Sequence, residues 1–447
     1  MSAAQTKGVA YRIQNNTLVV CLAAVFTTVA GSVLHADDTS ELRALVETLR
    51  QENSELKGEL KEQRELIDGL TRKVSEIQKN AQPQRESSNE TEMPAVSAGF
   101  NFGKVHISGE GGVAFFDTSD EGAFPNSEFR VDEAKLFVEA PIWDDVYFFS
   151  ELNLAQREQD DLNLDLGELY LDFEDVSKLW GQERQLNIRA GRIDIPFGEE
   201  YMVRDAIDNP LISHSLADFW GVDEGIELYG SAGKFSYVVA VQNGGVPGTR
   251  DFNSDKAITA RVGFDPNRWL HLSVSAMRTG NLDVNDDFLS ELWFGSGWFR
   301  SLGSTNTTRF DVQLLQGDVA IRLPHGHIKA FGGIAHYDDN DPSASNRRDI
   351  YYYSVEALHR FNRKFYAAAR FSEIMADDGF PVVGYGEFHD YFFGDLTKEL
   401  WRLSLGLGYR FSDQLVLKAE YTHESGKEVG GEQRSENVFA AEAAFKF

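Results

Sequence analysis

The chain has one cysteine, Cys21, in 447 residues. It lies in a segment predicted to be removed, so neither a disulfide framework nor a cysteine nucleophile is expected of the mature protein. After the first forty residues there is no apolar run long enough to cross a bilayer as a helix, which excludes a helical membrane protein. Basic residues are in short supply, 43 Lys and Arg against 71 Asp and Glu for a net charge of -28. That balance excludes general affinity for nucleic acid or anionic lipid surfaces. It does not set the sign of any one cavity. Proline is scarce at 11, whereas glycine (39) and aromatics (32 Phe, 15 Tyr, 7 Trp) are plentiful, the mixture used by many strands with aromatic ends. No His or Cys spacing fits a metal-ligand set, and the acidic run Asp338-Asp339-Asn340-Asp341 reads as a solvated loop rather than a calcium site.

The amino terminus reads as a secretory signal over residues 1–36. Lys7 and Arg12 precede an apolar stretch from Leu18 to Val29, and Ala36 is the small residue at the cut, before Asp37 and Asp38. Val20 is bulky where a lipoprotein signal needs a small residue, which argues against lipid attachment at Cys21. Residues 37–78 read as a coiled coil: Leu42, Val46, Leu49, Leu56, Leu60, Ile67, Leu70, Val74 and Ile77 follow alternating spacings of four and three, with Asn53 and Gln63 filling the gaps. One narrow apolar stripe has to be buried against copies of itself, and Asn53 at an a position would fix the register. Residues 79–98 are rich in Gln, Pro, Ser, Asn, Glu and Thr and read as a flexible linker.

From residue 99 to 447 the period changes to two. Leu169, Leu171 and Phe173 alternate with Glu168, Tyr170 and Asp172, and Ile258, Ala260 and Val262 alternate with Thr259 and Arg261. Tight connections, such as Gly230 to Gly233 and Ser412 to Gln414, alternate with long polar ones. The long set includes Ile193 to Val222, Gly280 to Thr307, Ser372 to Glu399 and Thr422 to Glu436. Short turns at one rim and long loops at the other are how up-and-down barrels of outer membranes are built, and the pattern predicts an all-β barrel of about 16 antiparallel strands. Reaching that count requires Thr308 to Arg322 to be one strand with a bulge near Gln316. The last strand, Val438 to Phe447, alternates Phe439, Ala441, Ala443 and Phe445 with Glu442 and Lys446. Its terminal Phe resembles the signal by which barrel-assembly machinery recognises outer-membrane proteins.

Two stretches resemble a known family, the phosphate-selective porins O and P. The run from Phe129 to Glu139 (FRVDEAKLFVE) is similar to the family's early strand "F-x-x-R-R-A-R-L-x-x-x-G". The run from Arg189 to Glu200 resembles its "G-x-x-x-x-P-F-G-x-E" signature, through Gly191, Pro196, Phe197 and Gly198. The resemblance implies a sixteen-stranded trimeric porin of the outer membrane whose third external loop folds inward. That loop would be Ile193 to Val222. Asp132 and Glu133 stand where the family strand usually carries consecutive arginines, leaving Lys135 as the nearby cation.

Strand parity sends Lys135, Arg189, Arg261, Arg370, Arg402, Arg410 and Lys418 into the lumen, together with Glu133, Glu151, Glu168, Asp172, Glu356 and Glu420. The mixture reads either as ion pairs filling an inner wall or as a field acting on permeant ions. The inward loop is rich in aromatic and aliphatic residues and so is expected to pack against the wall. Pro196 turns it inward, and Arg192 and Arg204 are placed near the narrowest point, opposed by Asp194, Glu199, Glu200 and Asp205. The leading expectation is a passive channel for small hydrophilic solutes or ions, among them anions such as phosphate. Its partners are the membrane lipid and two further copies of the chain, and it requires no cofactor, metal or catalytic residue. A lipase-type barrel would draw on His106, Ser354 and His359, which the pattern does not cluster. A structural reading has the periplasmic coiled coil spacing or tethering the membrane from the cell wall.

Overall fold

The computed structural model describes residues 105–447, apart from 120–121, 123, 156–163, 247, 249, 288, 295–296, 303–305, 381 and 385–395. The predicted signal, coiled coil and linker lie outside the described residues.

The first nine wall strands are β1 (His106–Asp117), β2 (Glu128–Trp143), β3 (Val146–Ala155), β4 (Asp165–Phe173), β5 (Asn187–Asp194), β6 (Val222–Ala232), β7 (Phe235–Gln242), β8 (Ala257–Asn267) and β9 (Leu270–Arg278). Three short strands follow in one connection: β10 (Leu282–Asp283), β11 (Leu289–Phe294) and β12 (Gly297–Arg300). The wall resumes with β13 (Arg309–Leu323), β14 (Gly326–Asp339), β15 (Arg348–Arg360) and β16 (Phe365–Phe380). After a short β17 (Val382–Gly384) it ends with β18 (Thr397–Ser412), β19 (Leu415–Glu428) and β20 (Gln433–Lys446). Each wall strand pairs antiparallel with the next, and β20 pairs with β1. Gly109 and Phe447 seal the seam by exchanging backbone hydrogen bonds of 3.2 and 2.9 Å.

The result is a closed barrel of sixteen antiparallel strands, as the alternation predicts. Val262 on β8 faces Val274 on β9 across the ladder, and both are exposed, as are Leu169, Leu171 and Phe173 on β4. An apolar band of that kind on the outside, with charged residues on the inside, needs hydrocarbon as its solvent.

Two expectations about the strands need correction. No bulge occurs at Gln316, because β13 pairs with β9 and β14 without a break in register. Val312, Leu314, Gln316 and Asp318 all face inward and are buried. The apolar pair imitates a change of parity only because the lumen is apolar at that height. One of the barrel's bulges lies in β2, where the register steps from Gly112–Glu133 to Val113–Val131 and leaves Asp132 as the extra, buried residue. The segments Thr422 to Glu436 and Ser372 to Glu399 are also not loops throughout. β19 runs to Glu428, and β20 starts after a tight turn in which Gly431 has φ 93°. β16 likewise extends to Phe380. Beyond the apolar band an outward residue need not be greasy, so polar pairs such as Ser425–Ser435 continue the ladder without the period-two signal.

The core lies inside the barrel, at the end bearing the long connections. Phe116, Phe310, Tyr337, Tyr352 and Phe380 of the wall enclose Phe197, Leu216 and Phe219 from the connection 195–221 and Phe294 and Phe299 from β11 and β12. Phe219 and Phe294 stack with centroids 4.2 Å apart.

Candidate functional site

The third long connection, 195–221, folds into the lumen as expected. Its two ends are tied together by Ile195 N–H donating to the Gly221 carbonyl at 2.8 Å. Pro196, with its fixed φ, sits at the centre of a three-residue turn in which Phe197 N–H donates to the Ile195 carbonyl at 2.8 Å. Gly198 then takes φ 67°, and a Cβ there would meet Gln316 Nε2 at 2.5 Å. The left-handed φ favours glycine at this bend, and the Gln316 amide would have to move aside for any other residue. Gly191 serves a different need, since a Cβ on it would lie 2.2 Å from the Leu169 carbonyl on the neighbouring strand.

Most of the basic residues assigned to the lumen hold this loop rather than face open space. Arg261 donates to the Gly198 carbonyl, and Arg410 reaches the Ile207 carbonyl at 3.4 Å. Lys418 donates to the carbonyls of Ala206 at 2.6 Å and Leu211 at 3.0 Å. Arg370 takes the Ser213 carbonyl at 2.7 Å and Asn209 Oδ1 at 3.0 Å, and Arg402 takes the His214 carbonyl at 2.8 Å. Acidic and hydroxyl groups receive the loop's N–H groups: Glu133 from Ala206 at 2.9 Å, Glu420 from Ser213 at 3.0 Å, and Ser372 from Leu216 at 2.9 Å. A loop taken out of water must satisfy its backbone somewhere, and here wall side chains replace a second strand. The buried cations are themselves balanced, Arg370 by Glu356, Arg402 by Glu424, and Lys418 by Glu442 at 2.6 Å. Arg189 is held between the rings of Tyr170 and Tyr229 and bonded to Asp172 at 2.9 Å and Glu227 at 3.2 Å.

The remaining space is on the other side. A cavity of about 470 Å³ lies between the loop and the inner face of β2 to β5. Lys135, Arg192 and Arg204 line it, together with the carboxylates of Glu133, Glu151, Asp165, Glu168, Asp194 and Asp205. Lys135 pairs with Asp205 at 2.6 Å and Glu133 at 3.1 Å. Arg192 pairs with Glu224 at 2.6 Å and donates to the Leu166 carbonyl at 2.8 Å. Arg204 pairs with Asp218 at 2.9 Å and lies over the Trp220 ring at 4.4 Å. Of the carboxylates expected to oppose Arg192 and Arg204, Asp194 and Asp205 line the same cavity, whereas Glu199 and Glu200 do not and are corrected. Glu199 bonds His271 on β9 at 2.6 Å, and Glu200 accepts from Ser215 of the same loop at 2.6 Å, because the wall and the loop itself offer nearer partners. Glu110, Glu133 and Asp205 converge as three carboxylates. The Lys135 ammonium occupies the position a cation would take there.

No protein-family model matches the chain and no curated protein matches it in sequence. Solved structures do match in shape. OmpT with loop L8 deleted, an outer membrane protein of Vibrio cholerae, aligns over 77% of this chain and 99% of its own at 13% identity, with a TM-score of 0.51. The outer membrane channel DcaP of Acinetobacter baumannii aligns over 77% and 97% at 12% identity, with a TM-score of 0.50. The shared fold is a closed antiparallel β-barrel. At such identities the likeness is one of fold alone.

Within this barrel the connection 279–308, expected only as one of the long polar loops, departs from that expectation. It also enters the lumen: Trp293 and Trp220 exchange backbone hydrogen bonds of 2.8 and 3.4 Å, and Trp298 packs on both rings. The signal was Leu292-Trp293-Phe294 with Trp298-Phe299, too apolar for a solvated loop. The acidic run at 338–341 is bonded to neighbouring segments of the chain. Asp339 accepts from Tyr337 at 3.1 Å, and Asn340 accepts the N–H groups of Thr308 and Arg309, each at 2.9 Å. Ser354 is buried on the inner face of β15, whereas His359 packs on Phe361 near the short turn 361–364, so the lipase-type candidates do not converge.

Proposed function

We propose that the chain is a passive diffusion channel for small hydrophilic solutes and ions. The observation that carries this reading is the uneven filling of the lumen. The loop 195–221 is latched chiefly to β8, β9, β16, β18 and β19, and a polar cavity remains along β2 to β5. A closed strand wall satisfies its own backbone in hydrocarbon, the inward loop narrows the route, and the charged lining biases ions by local potential. Assembly as a homotrimer, export by the amino-terminal signal and a periplasmic coiled coil belong to the same reading. An anion preference is implied by the resemblance to phosphate-selective porins. The channel reading does not depend on it, since Arg261, Arg370, Arg402 and Arg410 are engaged with the loop.

The test is reconstitution of the full chain in planar bilayers. Stepwise currents that scale with salt concentration are expected; an assembled barrel that passes no current overturns the reading. Sedimentation in detergent should give three copies per particle.

A further inference from the structure

The charges around the cavity do not cancel. Each of its three cations is matched by a carboxylate, Lys135 by Asp205, Arg192 by Glu224 and Arg204 by Asp218, at 2.6, 2.6 and 2.9 Å. Two of those partners, Glu224 and Asp218, are not part of the lining, so two of the three positive charges are neutralised from behind. On the same β2 to β5 wall, Glu151, Glu168 and Asp194 make no ion pair among the described residues. Glu168 receives one hydrogen bond, from Asp194 N–H at 3.0 Å.

Asn153 supplies an independent sign. It lines the same wall, its residue surface is only 5% exposed, and its amide oxygen has no hydrogen-bond donor among the described residues. A buried acceptor without a donor is costly, and such atoms mark places where a ligand or ion completes the set. Gly167 keeps this corner open. A Cβ there would fall 2.4 Å from Glu151 Oε1 and 2.8 Å from Asn153 Nδ2. The stacked rings of Phe137 and Phe149, 6.0 Å apart, continue the wall beside it. Carboxylates, an unpartnered carbonyl oxygen and aromatic faces together suit a group that offers several N–H donors, a positive charge and an apolar stem.

We propose that the cavity selects cationic solutes, and that Glu151, Asn153 and Glu168 form a subsite for an ammonium or guanidinium group. The proposal rests on the diffusion-channel reading and names the solute class for it.

The full chain in planar bilayers under a KCl gradient should favour K⁺ over Cl⁻ by about threefold or more. Arginine hydrochloride added to one side should interrupt the K⁺ current. Asn153→Leu, which leaves the charge unchanged, should weaken that interruption about tenfold. Glu151→Gln with Glu168→Gln should reduce both the interruption and the ion preference. An open channel that prefers Cl⁻, or an arginine effect untouched by either variant, overturns the proposal while leaving the channel reading in place. An assembled barrel without current overturns both.

Discussion

Lys418 donates from β19 to the carbonyl of Leu211 at 3.0 Å, a bond between residues 207 positions apart that pins the inward loop to the wall. The same ammonium pairs with the fully buried Glu442 at 2.6 Å. Lys418→Met should therefore release the loop and strand a buried carboxylate, at a cost of about 3–5 kcal/mol. Thermal unfolding in detergent measures the loss, and single-channel conductance should rise as the loop leaves the wall. Glu442→Gln in the same chain should restore part of the stability. A Lys418→Met barrel with unchanged melting and conductance would refute the latch.

Gly198 is the hinge of the loop. Replacing it with Val imposes a left-handed conformation on a β-branched residue, roughly 1–2 kcal/mol, and drives its Cβ against Gln316. The bend should shift and expose Arg204, so limited trypsin treatment of the assembled barrel should cut there sooner than in the parent. Equal cleavage times would argue that Gly198 does not set the bend.

Arg192 and Arg204 line the open space together with Lys135. Joint replacement of the two arginines by Ala uncovers Glu224 and Asp218, and should move reversal potentials in a salt gradient further toward cations. Asp218 is buried beneath Arg204, so barrel assembly has to be checked by electrophoretic mobility before and after heating. Unchanged potentials in assembled channels would place the determinants of ion preference elsewhere.

Glu291, on the inserted hairpin and outside the wall strands, has its carboxyl pushed up to about 8 by burial and by Asp223. The unfolded carboxyl ionises near 4.5, while the folded one stays protonated to about pH 8. Stability from this group is complete below the ordinary carboxylate range and falls as pH rises through that window. Melting temperatures at pH 5, 7 and 9 should decline in turn, and Glu291→Gln should flatten the decline. A slope identical in both proteins would show that Glu291 is not its source.

The barrel is legible in the sequence because a strand in a membrane wall obeys a local rule. Whether Leu171 or Asp172 faces lipid follows from parity alone, so wall polarity and the strand count come out correctly. The rule weakens where the solvent changes. Val312 and Leu314 point inward yet are apolar, because inserted segments make that part of the lumen a protein core. Ser425 and Gly426 lie on a strand yet carry no alternation, because the wall there has risen above the apolar band.

The sequence by itself determined that this chain closes into a membrane barrel, which residues turn inward, and that the segment around Pro196 enters the lumen. Those properties depend on period, composition and backbone chemistry over a few neighbouring residues. Only the tertiary structure decided what the inward charges do. Arg370 and Arg402 anchor backbone carbonyls, whereas Glu151 and Glu168 line open space. The difference is not in the residues or their strands. It depends on which side of the barrel receives a loop from a distant part of the chain, since an inward charge meets either that loop's backbone or water.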